Sequence, residues 1–153
     1  MICRLYFLGV DPGLKGGFAL LSDAEPGKIL ILDDFDKVRF LDMLSFLSRE
    51  QQVTRCCLEK VGARPGQGVT SMFHFGETYG WLKGAMDMAE ISFQEIQPQR
   101  WKREFSLGSD KKQSIEVARQ LYPHAELIPK GCRVPKDGRA EALLMATFAW
   151  RKL

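Results

Sequence analysis

Three short apolar segments, each bounded by a turn, open the chain. The first, Leu5–Val10, is a continuous apolar run that stops at Asp11-Pro12-Gly13, which is a strong turn signal. The second, Gly17–Ser22, is followed by Glu25-Pro26-Gly27 and then by the third, Lys28–Phe35. Strands joined by connections this short must be antiparallel neighbours, because a parallel return needs a dozen or more residues. The start of the chain therefore predicts an antiparallel three-stranded meander.

The pattern then changes to apolar positions at helical spacing, which alternate with two further strand-like runs. A Gly-rich loop, Gly62–Gly68, separates the fourth strand from the longest helix. The order β-β-β-α-β-α-β-α-α predicts an α/β fold, a five-stranded mixed sheet flanked by helices, in one domain over residues 1–153. The elements predicted after the meander are a helix around Val38–Leu47, strands Thr54–Val61 and Ile91–Ile96, and helices Val69–Ala89, Lys111–Leu121 and Asp137–Lys152.

The longest predicted helix carries Gly76, Gly80 and Gly84 at four-residue intervals on one face. Each glycine costs roughly 1 kcal/mol relative to alanine inside a helix, so the three together cost about 3 kcal/mol. Close approach by another backbone would offset this cost. That backbone belongs either to this chain, in which case the face is packed internally, or to a second subunit.

The composition, 45% hydrophobic and 27% charged over 153 residues, is typical of a globular domain and excludes a disordered chain and a coiled coil. The longest apolar runs have no more than six residues, against the ~20 that cross a bilayer. The opening residues lack the layout of a signal peptide. We therefore expect no membrane partner and a cytoplasmic, nucleoid-associated location if the protein is bacterial or from a phage, with an organelle left open.

The four cysteines, Cys3, Cys56, Cys57 and Cys132, show no spacing that would indicate a zinc site. Cys56 and Cys57 are adjacent in a predicted strand, so their side chains should point to opposite faces of the sheet. We expect buried thiols in a reducing compartment.

The net charge of +3 is unevenly distributed along the chain. Residues 1–96 carry 10 Lys/Arg against 13 Asp/Glu, whereas residues 97–153 carry 12 against 6. A basic last third on a chain with an acidic front indicates a polyanionic partner on one face of the molecule.

Four carboxylates lie where the predicted topology can gather them. Asp11 ends the first strand, and Glu59 lies late in the fourth strand, which should pair with the first. Asp137 and Glu141 are four residues apart at the start of the last helix and share a face. Taken singly, Asp11 could be a turn residue and Asp137 a helix cap. As a set they predict a divalent-metal site for phosphodiester cleavage, because Mg²⁺ prefers oxygen ligands and neither histidine lies in a related context.

The segment Asp11–Gly17 has a second interpretation. A Gly-rich turn after a buried strand is similar to the phosphate cradle of sugar kinases and actin. Those proteins repeat the fold in two domains, whereas this chain has room for one. The metal-site interpretation is therefore the one we favour.

Five segments resemble motifs of the RuvC-type Holliday-junction resolvases, which have the RNase H-like fold. The resemblance spans about residues 5–150, and the elements Pro98-x-x-Trp101-Lys102 and Asp137-Gly-x-Ala-Glu141 are most similar to the phage and chloroplast branch. Leu8–Leu20 is similar to the family's opening strand, and Leu58–Lys60 to its second acidic motif. Phe75–Gly80 is similar to its Gly-bearing helix. Gly108–Ile115 is similar to the stretch before its penultimate helix, and Glu141–Ala146 to its final motif.

The resemblance implies an endonuclease of DNA recombination and repair that nicks four-way junctions symmetrically as a homodimer and has no small-molecule substrate. Asp11, Glu59, Asp137 and Glu141 would hold Mg²⁺ or Mn²⁺, with two ions per site, and Lys112 would be a fifth catalytic residue. The residues that would contact the DNA are Lys15, Arg64, Gln67, Lys111, Lys112, Arg133, Lys136 and Arg139.

One position departs from the family's pattern. Typical members pair two aspartates three residues apart in the last helix, whereas Gly138 occupies the position three before Glu141 here. The acid lies one residue further back, at Asp137, and both spacings keep the two groups on one helical face. Which of Asp137 and Glu141 binds metal more directly is left open.

Two other functions are compatible with the same residues. One keeps the fold and acts on RNA or RNA–DNA hybrids, as RNase H-like and YqgF-like nucleases do. The other is a junction-binding protein without catalysis, which the four acids disfavour because negative charge weakens binding to phosphates. Comparing cleavage of a junction with cleavage of a hybrid separates the two enzymes.

Overall fold

A computed structural model describes residues 4–25, 27–50 and 53–153. None of the helices in these ranges is long and apolar enough to cross a membrane. The strands are β1 (Leu5–Asp11), β2 (Gly17–Ser22), β3 (Ile29–Asp34), β4 (Val53–Glu59) and β5 (Phe93–Ile96). The helices are α1 (Lys37–Glu50), α2 (Val69–Met88), α3 (Pro98–Glu104), α4 (Lys111–Leu121) and α5 (Asp137–Lys152).

The first strand, β1, lies at the centre of a sheet with the order β3-β2-β1-β4-β5. β2 pairs antiparallel with β1 and with β3, as the short turns predict. β4 pairs parallel with β1, and β5 pairs parallel with β4, because a helix precedes each of them and returns the chain to the same end of the sheet. The predicted α/β fold with a five-stranded mixed sheet is confirmed, and so is the pairing of the fourth strand with the first.

The central strands are apolar on both sides, and each side of the sheet carries its own core. Leu8 of β1 packs with residues of α1 and α2, whereas Phe7 packs with residues of α3, α4 and α5. Cys56 and Cys57 alternate in the same way, with one buried thiol in each core. The expectation of a buried thiol is wrong for Cys132, which is exposed, and Cys3 lies outside the described residues.

The last helix, α5, covers the centre of the sheet and is buried from Gly138 to Ala149. Gly9 of β1 makes this close packing possible. A Cβ atom at that position would lie 2.1 Å from the carbonyl oxygen of Ala142 and 2.3 Å from the backbone nitrogen of Ala146. No side chain fits between two backbones at these distances, so the α5 backbone rests directly on β1.

The long helix, α2, buries one face and exposes the other. Tyr79, Leu82 and Met86 face the core. A Cβ atom added at any of the three glycines of the opposite face would meet no atom within 4 Å. Tight packing inside the chain, one of the two interpretations of these glycines, is therefore wrong for the residues described. We call this side the open face of α2; its residues are Val69, Phe73, Gly76, Gly80, Gly84 and Met88, of which Val69, Phe73 and Met88 are 87%, 66% and 88% exposed.

Several elements differ from the expectation by two residues or more, and one of them is β4, which ends at Glu59 rather than at Val61. α3 was not predicted, because seven residues are too few to show a helical period; its one sequence signal is Pro98 in its first turn. β5 begins at Phe93 rather than at Ile91. The reason is that the backbone N–H of Ile91 donates to the carbonyl oxygen of Met86 at 2.9 Å, so this residue belongs to the end of α2.

Candidate active site

The ends of β1 and β4 bring the first two predicted acids together. These strands are parallel neighbours, and Val10 is the register partner of Leu58. Asp11 and Glu59 follow directly as the last residues of their strands. Because the carboxyl ends of parallel strands lie at the same edge of a sheet, the two carboxylates are neighbours there.

The first turn of α5 supplies the other two acids. A Cβ atom at Gly138 would lie 2.1 Å from the carbonyl oxygen of Lys15, so the α5 backbone touches the turn that follows β1. This contact carries Asp137 and Glu141 to the same edge of the sheet. It also explains the departure from the family's pattern. An aspartate at position 138 would collide with the turn, and the acid comes instead from position 137.

Two of the four carboxylates, Asp11 and Glu141, have raised pKa values. Burial raises the pKa of Asp11 well above its ordinary value, and the charges of Glu59, Glu141 and Asp137 raise it further. Burial also raises the pKa of Glu141; Lys102 opposes this rise, while Glu59 and Asp137 add to it. Strongly perturbed carboxylates gathered at one edge of a sheet are typical of a functional site, and an added cation would relieve their repulsion.

Two lysines lie beside the acids. Lys111 Nζ is 2.9 Å from Asp137 Oδ2, and the hydrogen bond and charge of Asp137 raise the pKa of Lys111. Lys102 Nζ is 3.9 Å from Glu141 Oε1. Lys112 has an exposed side chain, and among the described residues it makes no ion pair with the acids. Of the adjacent lysines at the start of α4, the one that reaches the site is therefore Lys111.

Sequence reasoning missed three residues that contact the acids. Lys102 is one of them, and its only signal was its place in the element Pro98-x-x-Trp101-Lys102. Trp101 donates its indole N–H to Glu59 Oε2 at 2.9 Å. The buried hydroxyl of Ser114 donates to Glu141 Oε1 at 3.4 Å. All three side chains come from α3 and α4, which pack on the same face of the sheet as α5.

The donor set fits a hard divalent cation. The four carboxylates offer oxygen ligands, and their repulsion is what such a cation would offset. Within the described ranges, no group of three or more Asp, Glu, His or Cys side chains is placed so that it could hold a metal ion by itself. Mg²⁺ suits this arrangement, because it keeps several waters and is commonly held by one or two carboxylates together with substrate phosphates.

Arg139 does not lie where the sequence placed it. Its side chain is buried, with 6% of the residue exposed. Its guanidinium donates to Asp34 Oδ1 at 2.8 Å, to the Glu126 carbonyl oxygen at 2.9 Å and to Asp33 Oδ1 at 3.3 Å. The predicted phosphate contact is wrong, because this side of α5 faces the end of β3 and three acceptors engage the guanidinium.

The other predicted DNA-binding residues are at the surface. A cleft of about 900 Å³ opens beside Glu59, between the turn after β1, the loop after β4 and α2. Lys15, Arg64 and Gln67 line this cleft, so three of the predicted contacts lie on the side of the acids. Arg133 and Lys136 are exposed in the segment that leads into α5.

Comparison with solved structures finds RuvC of Thermus thermophilus. One RuvC structure matches with a TM-score of 0.59 and 18% identity, over 97% of this chain and 95% of that chain. RuvC in complex with a Holliday junction substrate matches with a TM-score of 0.57 and 17% identity, over 98% and 96% of the two chains. No protein-family model and no curated protein matches. The likeness confirms the predicted RNase H-like fold of the RuvC type, and the phage and chloroplast branch stays a prediction.

Proposed function

We propose that this protein is a metal-dependent endonuclease that resolves Holliday junctions. The observation that carries the proposal is the gathering of four carboxylates from β1, β4 and α5 at one edge of the sheet, with lysines of α3 and α4 beside them. A RuvC of the same fold has been solved with a Holliday junction substrate, and it matches this chain over nearly its whole length. Fold and site chemistry together support a junction nuclease.

The four acids would share the work of holding Mg²⁺ or Mn²⁺, and we propose two ions per site. When bound, such metal supplies an activated water and a counter-charge for the leaving oxygen of the phosphodiester. Asp11 and Glu59 are fixed on the two central strands. Asp137 and Glu141 are fixed by the contact of α5 with the turn after β1. Groups held by rigid elements keep their geometry as substrate binds.

Lys111 is the residue to which we assign the catalytic role that the sequence favoured for Lys112. Its ammonium is paired with Asp137, beside the place where the scissile phosphate must lie to reach the carboxylates. A cation in this position meets charge that grows as the phosphodiester is cleaved, and such contacts accelerate the reaction more than they strengthen binding. Lys102, paired with Glu141 at 3.9 Å, is a second cation of the same kind.

The open face of α2 is proposed to form a homodimer. A helix of 20 residues is roughly 30 Å long, and its exposed glycines would let two such helices approach closely. That contact would offset the cost of about 3 kcal/mol that the glycines bring. A two-fold dimer would present two acid sites to two strands of a four-way junction, which supports paired nicks.

Introducing a large charge into the open face tests the dimer. Gly80→Arg should give a folded protein, because a Cβ atom at this exposed position meets nothing within 4 Å and the longer side chain can extend into solvent. Sedimentation should then report the monomer mass of 17.4 kDa, whereas the wild type should sediment as a dimer. A wild type that remains monomeric with junction DNA bound would rule out symmetric resolution.

The decisive experiment for the activity is incubation with a mobile four-way junction, with and without Mg²⁺. We expect paired nicks with Mg²⁺ or Mn²⁺ and none in excess EDTA. A linear duplex of the same sequence and an RNA–DNA hybrid are the matched controls. Preferential cleavage of the hybrid would support the RNase H-like alternative, and junction binding without cleavage would support the non-catalytic one.

A single substitution then tests the acid cluster. Asp11→Asn should abolish nicking while junction binding stays the same or becomes tighter, because one negative charge is removed from beside the phosphates. Loss of both nicking and binding in a folded variant would mean that Asp11 is structural.

A further inference from the structure

Trp101 is a buried side chain whose polar atom reaches the acid cluster. The residue is 0% exposed and belongs to the core that lies between α5 and the sheet. Its indole N–H donates to Glu59 Oε2 at 2.9 Å, across 42 positions of the chain. The indole nitrogen is a donor only, and the buried ring fixes its direction. Glu59 is therefore held by a rigid donor from α3.

The partner of Glu59 differs in kind from the lysines that pair with Asp137 and Glu141. Lys111 and Lys102 are cations on long side chains, so their charge competes with any metal ion that binds Asp137 or Glu141. Trp101 is neutral and its ring is locked by packing. It can orient a carboxylate without reducing the charge that attracts a cation. Removing the donor would leave the strand position of Glu59 unchanged but release its side-chain torsions.

We infer that Trp101 is a positioning residue for Glu59, holding Oε2 by its hydrogen bond and leaving Oε1 to bind the divalent metal ion. The inference rests on the proposed function, because it presumes that Glu59 is a metal ligand. Hydrogen-bond partners of this kind orient the ligands of a metal, and their loss typically lowers metal affinity by roughly 10–100-fold. We expect Trp101→Phe, which keeps an aromatic ring and removes the donor, to weaken metal binding by about tenfold.

The first test measures metal affinity without a cleavage assay. Free Mn²⁺ is counted by electron paramagnetic resonance during titration of the wild type, Trp101→Phe and Trp81→Phe. Trp81 is the matched control, because its ring packs near Phe40 and Lys37 in the core on the other side of the sheet. Affinity should fall about tenfold in Trp101→Phe and stay unchanged in Trp81→Phe.

A second readout follows the hydrogen bond itself. The chain has three tryptophans, and single Trp→Phe variants assign their indole N–H resonances in the ¹⁵N-labelled protein. The Trp101 resonance should move when Mg²⁺ is added. In Glu59→Gln without metal it should move upfield, because an amide oxygen is a weaker acceptor than a carboxylate. This variant also decides the question if Trp101→Phe does not fold, with the Trp101 resonance then assigned by elimination.

The outcomes separate the inference from the function it rests on. A wild type that binds Mn²⁺, together with a folded Trp101→Phe that binds it equally well, overturns the positioning role and leaves the proposed nuclease intact. A Trp101 resonance that does not respond to Glu59→Gln overturns it too. A wild type that binds no Mn²⁺ removes the proposed function and the inference with it.

Discussion

The helices α5 and α2 are both long, apolar and rich in small residues, yet the protein uses them in opposite ways. α5 lies on the sheet so closely that Gly9 and Gly138 have no room for a Cβ atom. A Cβ atom added at the glycines of α2 would instead lie in empty space. Glycine therefore marks two different situations here: a close approach that exists within the chain, and a helix face that the described chain leaves open and on which we propose that a second subunit binds.

This difference follows the division of labour that we propose. α5 carries Asp137 and Glu141, and a helix wedged against both the sheet and the turn after β1 cannot shift without moving these acids. α2 carries none of the four acids and is free to serve assembly. Immobility is needed where groups must converge on one metal site, and an open surface is needed where a second subunit binds.

The largest effect is expected from a substitution that breaks the contact between α5 and the turn after β1. Gly138→Ala places a Cβ atom 2.1 Å from the Lys15 carbonyl oxygen, so either the helix or the turn must move. We expect the free energy of unfolding to fall by about 3 kcal/mol, the upper end of the usual cost of overpacking. Urea unfolding measures it. A loss below about 1 kcal/mol would show that the turn yields easily.

The next effect concerns the buried guanidinium that joins α5 to β3. Arg139→Met should lower the free energy of unfolding by about 2 kcal/mol, less than the 3–5 kcal/mol typical of a fully buried pair, because Asp33 and Asp34 are partly exposed. Arg133→Ala is the exposed control: stability should change by less than about 0.5 kcal/mol, while junction affinity falls and its salt slope drops by about one. If Arg139→Met is as stable as the wild type but binds DNA more weakly, the predicted contact of Arg139 with a phosphate would be right after all.

A kinetic comparison of neighbouring lysines comes third. Lys111→Ala should slow nicking of bound junctions by about tenfold, equivalent to about 1.4 kcal/mol of barrier, because Lys111 is paired with Asp137 at the site. Lys112→Ala should leave the rate nearly unchanged. Single-turnover rates at saturating enzyme measure both. The reverse result would return the catalytic role to Lys112.

A gain of stability is expected on the open face of α2. Gly80→Ala adds a methyl group into space that the chain leaves empty, so the monomer should be stabilised by up to about 1 kcal/mol through helix propensity. The measurement is urea unfolding of dilute protein, with sedimentation to record the weaker dimer. Destabilisation of the monomer would mean that α2 packs internally after all, as α5 does at Gly138.

The smallest effect tests the electrostatic strain at the site without metal. Burial and neighbouring acids raise the pKa of Asp11 above its unfolded value, so its ionisation destabilises the fold fully above the folded pKa and not at all below the unfolded one. In EDTA, Asp11→Asn should therefore raise the unfolding midpoint at pH 8, and the gain should shrink as the pH falls. If the rise in the unfolding midpoint does not depend on pH, the stabilisation comes from packing and not from the lost charge.

The sequence could predict those features of the fold and the site that depend on short connections and on the spacing of residues along the chain. The short turns and the helical connection made β1 and β4 parallel neighbours, and this alone placed Asp11 beside Glu59. Arg139 was misplaced because its direction depends on the contact of α5 with the end of β3, which no local pattern reports. Trp101 was missed as a partner of Glu59 because the two are 42 positions apart and α3 is too short to show a period.

For a related reason, the sequence could not predict whether the α2 glycines pack within the chain or against a second subunit. Helical spacing shows that Gly76, Gly80 and Gly84 share a face, but the approach of another backbone is a property of the folded molecule. The structure answers half of the question by leaving this face empty within the described chain.

The contact between Gly138 and the turn at Lys15 sets a condition on how this site can be transplanted or altered. Moving the acid from position 137 to 138 would require a longer or displaced turn, since the new side chain would occupy the place of the Lys15 carbonyl. A graft of α5 alone onto a relative with a different turn would collide with it or leave a gap. The transferable module is therefore the turn together with the start of the helix, and the four acids by themselves are not enough.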